Sequence, residues 1–325
     1  MAETNPALSE DEIRQLREEH YNSTITWMEK PNDRLMRVRV RLDDGVRDNG
    51  PALDYEPGQY TTLGLGYWEY RMPLAQAENL DEKLVRRVVK RAYSISSRLV
   101  DDDGAVVAAG PEDEPELYVA LVTESDKPPA FTPRLFSLSV GDRIAMGPRP
   151  KGVFTLGEYE PTTNFVFAGT GTGEAPHNAM ISKLLAAGHQ GRIANLCCVR
   201  FASDLAYLET HRKIEERFDN YRYVPLTTRE PENRHKEHPG YVGARYVQDV
   251  LDAPDAADHL GFALDAANTR VFLCGNPAMI GIPNRSDDPA GRYPTPRGAV
   301  EVLESKGFRA DEPKSPGNIH FEKYW

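Results

Sequence analysis

The sequence predicts two domains of different class, an all-β half followed by an α/β half with a doubly wound parallel sheet. Three observations carry this. The chain has 325 residues, more than a single hydrophobic core ordinarily serves. Its first half reads as short strands separated by Gly and Pro turns, as in an antiparallel barrel or sandwich. After Tyr159 strands alternate with helices, which implies a parallel sheet covered on both faces. The expected units are a helical extension over 1–22, the β half over 23–158 and the α/β half over 159–325.

Each element has its own signal. Ser9 and Glu12 form a capping box before a helix to about His20. Only Ile13 and Leu16 give that helix an apolar face, so it reads as a weakly docked arm. "LMRVRVRL" alternates: Met36, Val38, Val40 and Leu42 face a core, and Arg37, Arg39 and Arg41 face solvent. A turn at Asp43–Gly45 and the strand "YEPGQYTTLGL" follow. In "DEKLVRRVVKR", Leu84, Val85, Val88 and Val89 recur at helical spacing. A helix is expected there, with Lys83, Arg86, Arg87, Lys90 and Arg91 on its other face, either solvated or open to an acidic partner. "RAYSISSR" is a strand with a charge and many hydroxyls. "ELYVALVTES" and "LFSLSVGDRIAMG" complete the β half.

In the second half "NFVFAG" is a continuous apolar run, as a strand buried on both faces requires. A helix from about Ala175 to Ala187 ends at Gly188. "RIANLCCV", "YRYVPLT" and "RVFLCG" are strands; "DLAYLETHRKIEERF", "ARYVQDVL" and "PAMI" are helical. A Pro/Gly-rich stretch over Ile282 to Arg297, one more helix and "NIHFEKYW" end the chain.

Composition excludes several classes. Hydrophobic content of 40% and charged content of 27% fit a soluble globular chain. The net charge of −11 argues against general nucleic-acid binding. Any anionic ligand must be held by local cations. Cys197, Cys198 and Cys274 make neither a disulfide framework, nor a zinc site, nor a four-cysteine cluster, so no metal is expected. Free thiols suit a reducing compartment, and a cytoplasmic location is expected. The start is acidic, without the apolar core of a signal peptide. No apolar run approaches the ~20 residues that span a membrane. No hydrolase motif involves any His.

Four constellations remain. In "GTGTGEAP", Gly171, Thr172 and Gly173 lie between a strand and its helix, where glycine admits a ligand close to the backbone and the helix start attracts a phosphate. A tight turn with no ligand is the alternative. Glu174 there would repel a phosphate, which places any pyrophosphate a little away. "CGNPAM" puts Cys274 at the carboxyl edge of the sheet, with Pro277 near the first helical position. Arg200, Arg229 and Arg245 follow strands or flank helices at equivalent places, and their planar forks suit a phosphate dianion. The aromatic end "FEKYW" covers something flat or packs in a core. His177, one turn after the Gly loop, reads as a capping or positioning residue.

These motifs, in this order, make the chain resemble the ferredoxin/flavodoxin–NADP(+) reductase family of bacterial type, from about Thr24 to Trp325. "RAYSISS" resembles the family's RxYS flavin motif, "GTGTGEAP" its GTGxxP turn, "CGNPAM" its CGxPxM motif and "EKYW" its aromatic end. The resemblance implies an antiparallel FAD-binding β-barrel and an NADP-binding α/β domain. It implies ferredoxin–NADP(+) reductase activity: hydride exchange at flavin N5 between NADP(H) and FAD, and single electrons passed to ferredoxin or flavodoxin, an acidic carrier. The alternative is an NAD(P)H-dependent reductase component of an oxygenase or cytochrome system. By motif, Arg91 would bind the FAD pyrophosphate, Tyr93 pack on the flavin, Ser94 hydrogen-bond near N5 and Thr132 contact the FAD phosphates. Thr172 would lie where flavin and nicotinamide approach. Arg200, Arg229 and Arg245 would hold the adenosine 2′-phosphate, and Tyr207 would stack on the adenine. Cys274 would border the nicotinamide. Glu322 and Tyr324 match an E-x-Y ending whose Tyr covers the flavin, and Trp325 would stack on the FAD adenine. Three departures from the family are Glu174, the length of the stretch from Gly66 to Lys90, and the length of the Pro-rich stretch from Ile282 to Arg297.

Overall fold

A computed structural model describes residues 8–46, 53–110, 114–283, 291–312 and 315–324. The chain divides into two compact units, Met1–Ser97 with Ala109–Val153, and Arg98–Ala108 with Phe154–Trp325. The second unit takes up the chain at Phe154, close to the expected boundary, and includes a segment from within the first half.

In the first unit, α1 (Glu10–His20) has the expected capping box, with Ser9 and Glu12 bonded reciprocally. Strands β1 (Ser23–Asn32), β2 (Leu35–Leu42), β3 (Tyr60–Gly66), β4 (Val88–Ser96), β5 (Glu116–Ala120) and β6 (Arg143–Met146), with the short helix α2 (Thr132–Leu135), follow. They close a barrel in the order β1-β2-β5-β4-β3-β6, with β6 pairing back on β1. The alternation of β2 places Met36, Val38, Val40 and Leu42 in the barrel core.

The opposite face of β2 corrects the expected solvated arginines. Arg37 is buried, and its Nε and that of Arg39 each donate 3.0 Å to the fully buried carboxylate of Glu116 on β5. Both guanidiniums lie over the Trp27 ring. A buried carboxylate requires such pairing, and its source is a strand far away in sequence.

Two further expectations change. Residues 82–87 form turns, and Val88 and Val89 already belong to β4. The side chain of Asp81 accepts from the backbone N–H groups of Lys83 and Leu84 and closes this turn. The spacing that suggested a helix is equally that of a turn feeding a strand. The helical arm is not loosely attached either. Glu69, buried, accepts from Arg17 Nε (2.9 Å), the Tyr21 hydroxyl (2.9 Å) and Trp68 Nε1 (3.0 Å), and Arg86 pairs with Glu12. Polar contacts replace the apolar face that α1 lacks.

The second unit contains β7 (Asn164–Thr170), α3 (Glu174–Ala186), β8 (Ile193–Val199), α4 (Leu208–Arg217), β9 (Tyr221–Thr227), α5 (Pro231–Arg234), α6 (Val247–Asp252), α7 (Ala256–Leu260), β10 (Thr269–Gly275), α8 (Pro277–Ile280), α9 (Ala299–Ser305) and β11 (Ile319–Lys323). Its five strands are parallel, in the order β11-β10-β7-β8-β9. Burial on both faces explains their apolar runs. The chain winds outward from β7 through β8 to β9, then returns to β10 on the other side of β7. The topological switch point therefore lies between β7 and β10, the ordinary place for a ligand in such a sheet.

Candidate functional site

Two turns meet at that switch point. After β7, Gly171–Gly173 forms one turn of 3-10 helix that runs directly into α3. Gly171 has φ +55°, with open space where a Cβ would stand. Gly173 is closed in: a Cβ would lie 2.4 Å from the carbonyl oxygen of Cys274. The partner turn follows β10. Gly275 has φ +118°, and a Cβ there would stand 2.3 Å from the Thr170 hydroxyl. That hydroxyl accepts from the Asn276 N–H at 2.8 Å, and Asn276 caps α8 through the Ala278 N–H. Two glycines thus let two backbone turns touch, while a third leaves one side open. Thr170, Gly275 and Asn276 had no signal beyond their neighbourhood in the two motifs.

The carboxyl end joins the same edge. β11 pairs with β10 so that Cys274 stands opposite Glu322, and the Tyr324 N–H donates 3.0 Å to the Gly275 carbonyl. Cys274 is fully buried. Burial pushes its thiol well above the usual range, the Glu322 charge adds to this, and a hydrogen bond with Tyr324 pulls the other way. The group is a neutral thiol, not a nucleophilic thiolate. Trp325 lies outside the described residues.

Arg200 and Arg229 also come together, since the Arg229 N–H donates 2.8 Å to the Arg200 carbonyl, and both are exposed. Arg245 is half-buried and more committed: its Nη1 is 3.1 Å from His259 Nε2, and that histidine nitrogen is 3.2 Å from Asp255 Oδ2. Tyr207 does not match the expected stacking role. It is 0% exposed and packs toward His211, which leaves no ring face for an adenine. The motif suggested a surface aromatic, but the residue precedes α4 at a position turned inward.

Glu174 is also turned inward, away from where it could meet a phosphate directly. It is 1% exposed, accepts from the Tyr223 hydroxyl at 2.9 Å, and lies 3.2 Å from His211 Nε2. His177 is fully buried beside Phe154 and Phe167, and burial lowers it from 6.5 to about 3. It is therefore neutral at physiological pH and serves as core.

In the first unit, β4 carries Arg91, Tyr93 and Ser94. Arg91 is exposed, and its described hydrogen bond goes only to the neighbouring Lys90 carbonyl. The Tyr93 ring lies 5.7 Å from Phe131, just before α2. Burial raises the Tyr93 phenol, with the Arg91 charge opposing, so it remains protonated. Ser94 is buried. The Thr132 hydroxyl is already engaged, accepting from the Val122 N–H at 3.0 Å and donating to the Val122 carbonyl at 3.2 Å. Among the described residues no cluster could hold a metal ion, and no helix is long and apolar enough to cross a membrane.

Residues 167–284 match the family described as the oxidoreductase NAD-binding domain. The flavodoxin/ferredoxin–NADP reductase of Escherichia coli is 26% identical over 71% of this chain and 78% of its own length. That of Rhodobacter capsulatus is 26% identical over 92% and 91%. Ferredoxin–NADP reductase B of Sorangium cellulosum is 28% identical over 77% and 87%. A crystal structure of a ferredoxin NADP+ reductase from Neisseria gonorrhoeae with bound FAD and NADP superposes with a TM-score of 0.65 at 18% identity, covering 94% and 98% of the two chains. At that identity it shows the fold alone.

Proposed function

We propose, from the chain's similarity to bacterial flavodoxin/ferredoxin–NADP reductases, that it is an FAD-dependent oxidoreductase exchanging electrons between NADP(H) and ferredoxin or flavodoxin. The observation that carries the reading is the pair of glycine turns at the switch point of the parallel sheet, backed by two exposed arginines at the ends of the next strands.

The residues fit both groups. For the nucleotide, Gly171 offers an open backbone, and Gly173 and Gly275 fix the loop shape. Arg200 and Arg229 supply cations to a 2′-phosphate, with Arg245 contributing through a guanidinium that it shares with His259. For FAD, Arg91 has N–H groups free for a pyrophosphate, Tyr93 gives a protonated aromatic wall, and Ser94 gives a hydroxyl. Thr132 contributes from its backbone, since its hydroxyl is occupied. When bound, FAD takes two electrons together and releases them singly, which a side chain cannot do. Cys274, Glu322 and Tyr324 shape the edge where the nicotinamide arrives: the thiol stays neutral and dry, and the Tyr324 backbone anchors the chain end to Gly275. The buried thiols suit a cytoplasmic protein.

The carrier is acidic and meets the exposed cations Lys83, Arg87 and Lys90. Arg86 is excluded from this set because Glu12 already holds it. Anaerobic mixing with NADPH and either carrier should reduce the carrier, and Arg87→Glu should slow that reduction by about threefold to tenfold at low salt and flatten its salt dependence. Reduction of a cytochrome but of neither carrier would point to an oxygenase or cytochrome component instead.

A further inference from the structure

We infer that Glu174 is a positioning residue that limits how tightly the Gly171–Gly173 turn grips a pyrophosphate, acting through the start of α3. The inference rests on the reading of that turn as the NADP(H) cradle.

The carboxylate belongs to the first residue of α3, directly after Gly173, yet its side chain is 1% exposed. Groups from three other elements surround it. The Tyr223 hydroxyl on β9 donates to Oε1 at 2.9 Å, and His211 Nε2 on α4 is 3.2 Å from the same oxygen. His211 Nδ1 is 2.8 Å from the Tyr221 hydroxyl, and Asn195 Nδ2 on β8 is 3.4 Å from that hydroxyl. With Asn195 donating to Tyr221 and Tyr221 donating to Nδ1, the His211 Nε2–H is left to donate to Glu174. Every group facing Oε1 is then a donor, which suits a carboxylate; Oε2 has no N–H or O–H partner among the described residues, and the buried Cys197 thiol also lies against the carboxylate. No Lys or Arg pairs with it among the described ion pairs.

A buried, incompletely compensated carboxylate is costly. Glutamine has the same shape and its oxygen would accept the same two bonds, with a neutral amide in place of the charge. What glutamine lacks is charge. The first turn of a helix carries a partial positive charge that a carboxylate neutralises, and a phosphate at a helix start draws on that same partial charge. Glu174 therefore competes for it with the pyrophosphate, from beneath the loop and without touching the ligand. The result is a looser hold on NADP+ and a faster exit of the product.

Titration calorimetry on the FAD-loaded protein tests this with two ligands: NADP+, and adenosine 2′-phosphate, which has no pyrophosphate. Glu174→Gln should bind NADP+ about 3- to 10-fold more tightly and adenosine 2′-phosphate with unchanged affinity. Tyr223→Phe keeps the charge and removes one compensating donor, so it should bind NADP+ more weakly than the wild type. A merely structural role predicts weaker NADP+ binding for both variants. Unchanged or weaker NADP+ binding by Glu174→Gln, equal tightening of both ligands, or tighter binding by Tyr223→Phe overturns the inference. Failure of the wild type to bind either ligand overturns the functional reading instead.

Discussion

Replacing Arg200 and Arg229 together by alanine is expected to raise the KM for NADPH by about 100-fold, since each charge-assisted hydrogen bond to a phosphate contributes about 1.5–3 kcal/mol. The KM for NADH should stay within about twofold, because the two cofactors differ only in the 2′-phosphate. Two features of the structure bear on this expectation. The two arginines stand at adjacent strand ends, joined by the bond from Arg229 N–H to the Arg200 carbonyl, and both side chains are exposed. Truncation leaves that backbone bond in place, so the loops keep their shape and only the cations go. Arg245→Ala alone should cost less, since its guanidinium is already shared with His259. Steady-state kinetics with both nucleotides decides the matter. Equal losses with NADPH and NADH would mean that these arginines do not read the 2′-phosphate.

The second large effect is expected at Gly173. A Cβ there would sit 2.4 Å from the Cys274 carbonyl oxygen and 2.7 Å from its carbon. Those are backbone atoms at the end of β10, within a parallel sheet, and they cannot yield cheaply. Gly173→Ala must push the two turns apart, at a cost of about 1–3 kcal/mol in overpacking. The NADPH-dependent rate should fall about 100-fold, because small displacements of a positioned reactant carry penalties of that size. Gly171→Ala is the control. It meets no neighbour, and its strain comes only from φ +55°, about 1 kcal/mol. Its rate loss should be at least tenfold smaller. Equal losses in the two variants would show that turn contact is not what glycine provides here.

Much of this was readable from the residues. Alternation in β2 gave the core face of the barrel, and continuous apolar runs gave the buried strands of the sheet. The two Gly-rich turns were legible as motifs at the carboxyl edge of the sheet, while their meeting at its switch point follows from the strand order. What escaped reading shares one physical cause, dependence on a partner distant in sequence. Arg37 and Arg39 looked solvated because Glu116, which pairs with both, lies on another strand. The arm α1 looked loose because its anchor is the polar hub at Glu69. Val88 and Val89 looked helical because two adjacent pairs of apolar residues fit a turn and strand as well as a helix. Tyr207 and Glu174 were read by motif position, and motif position does not tell which way a side chain points. In both cases the deciding contact is His211 on α4. The Tyr221–Tyr223 alternation was the one visible hint that a polar network lay under that helix.

The most direct test is an absorbance spectrum of the purified protein followed through an anaerobic titration with NADPH. The account predicts a yellow protein with a flavin spectrum, bleached stoichiometrically by NADPH and far less readily by NADH. A colourless protein that takes up no added FAD, or a flavin that NADPH leaves oxidised, would contradict it.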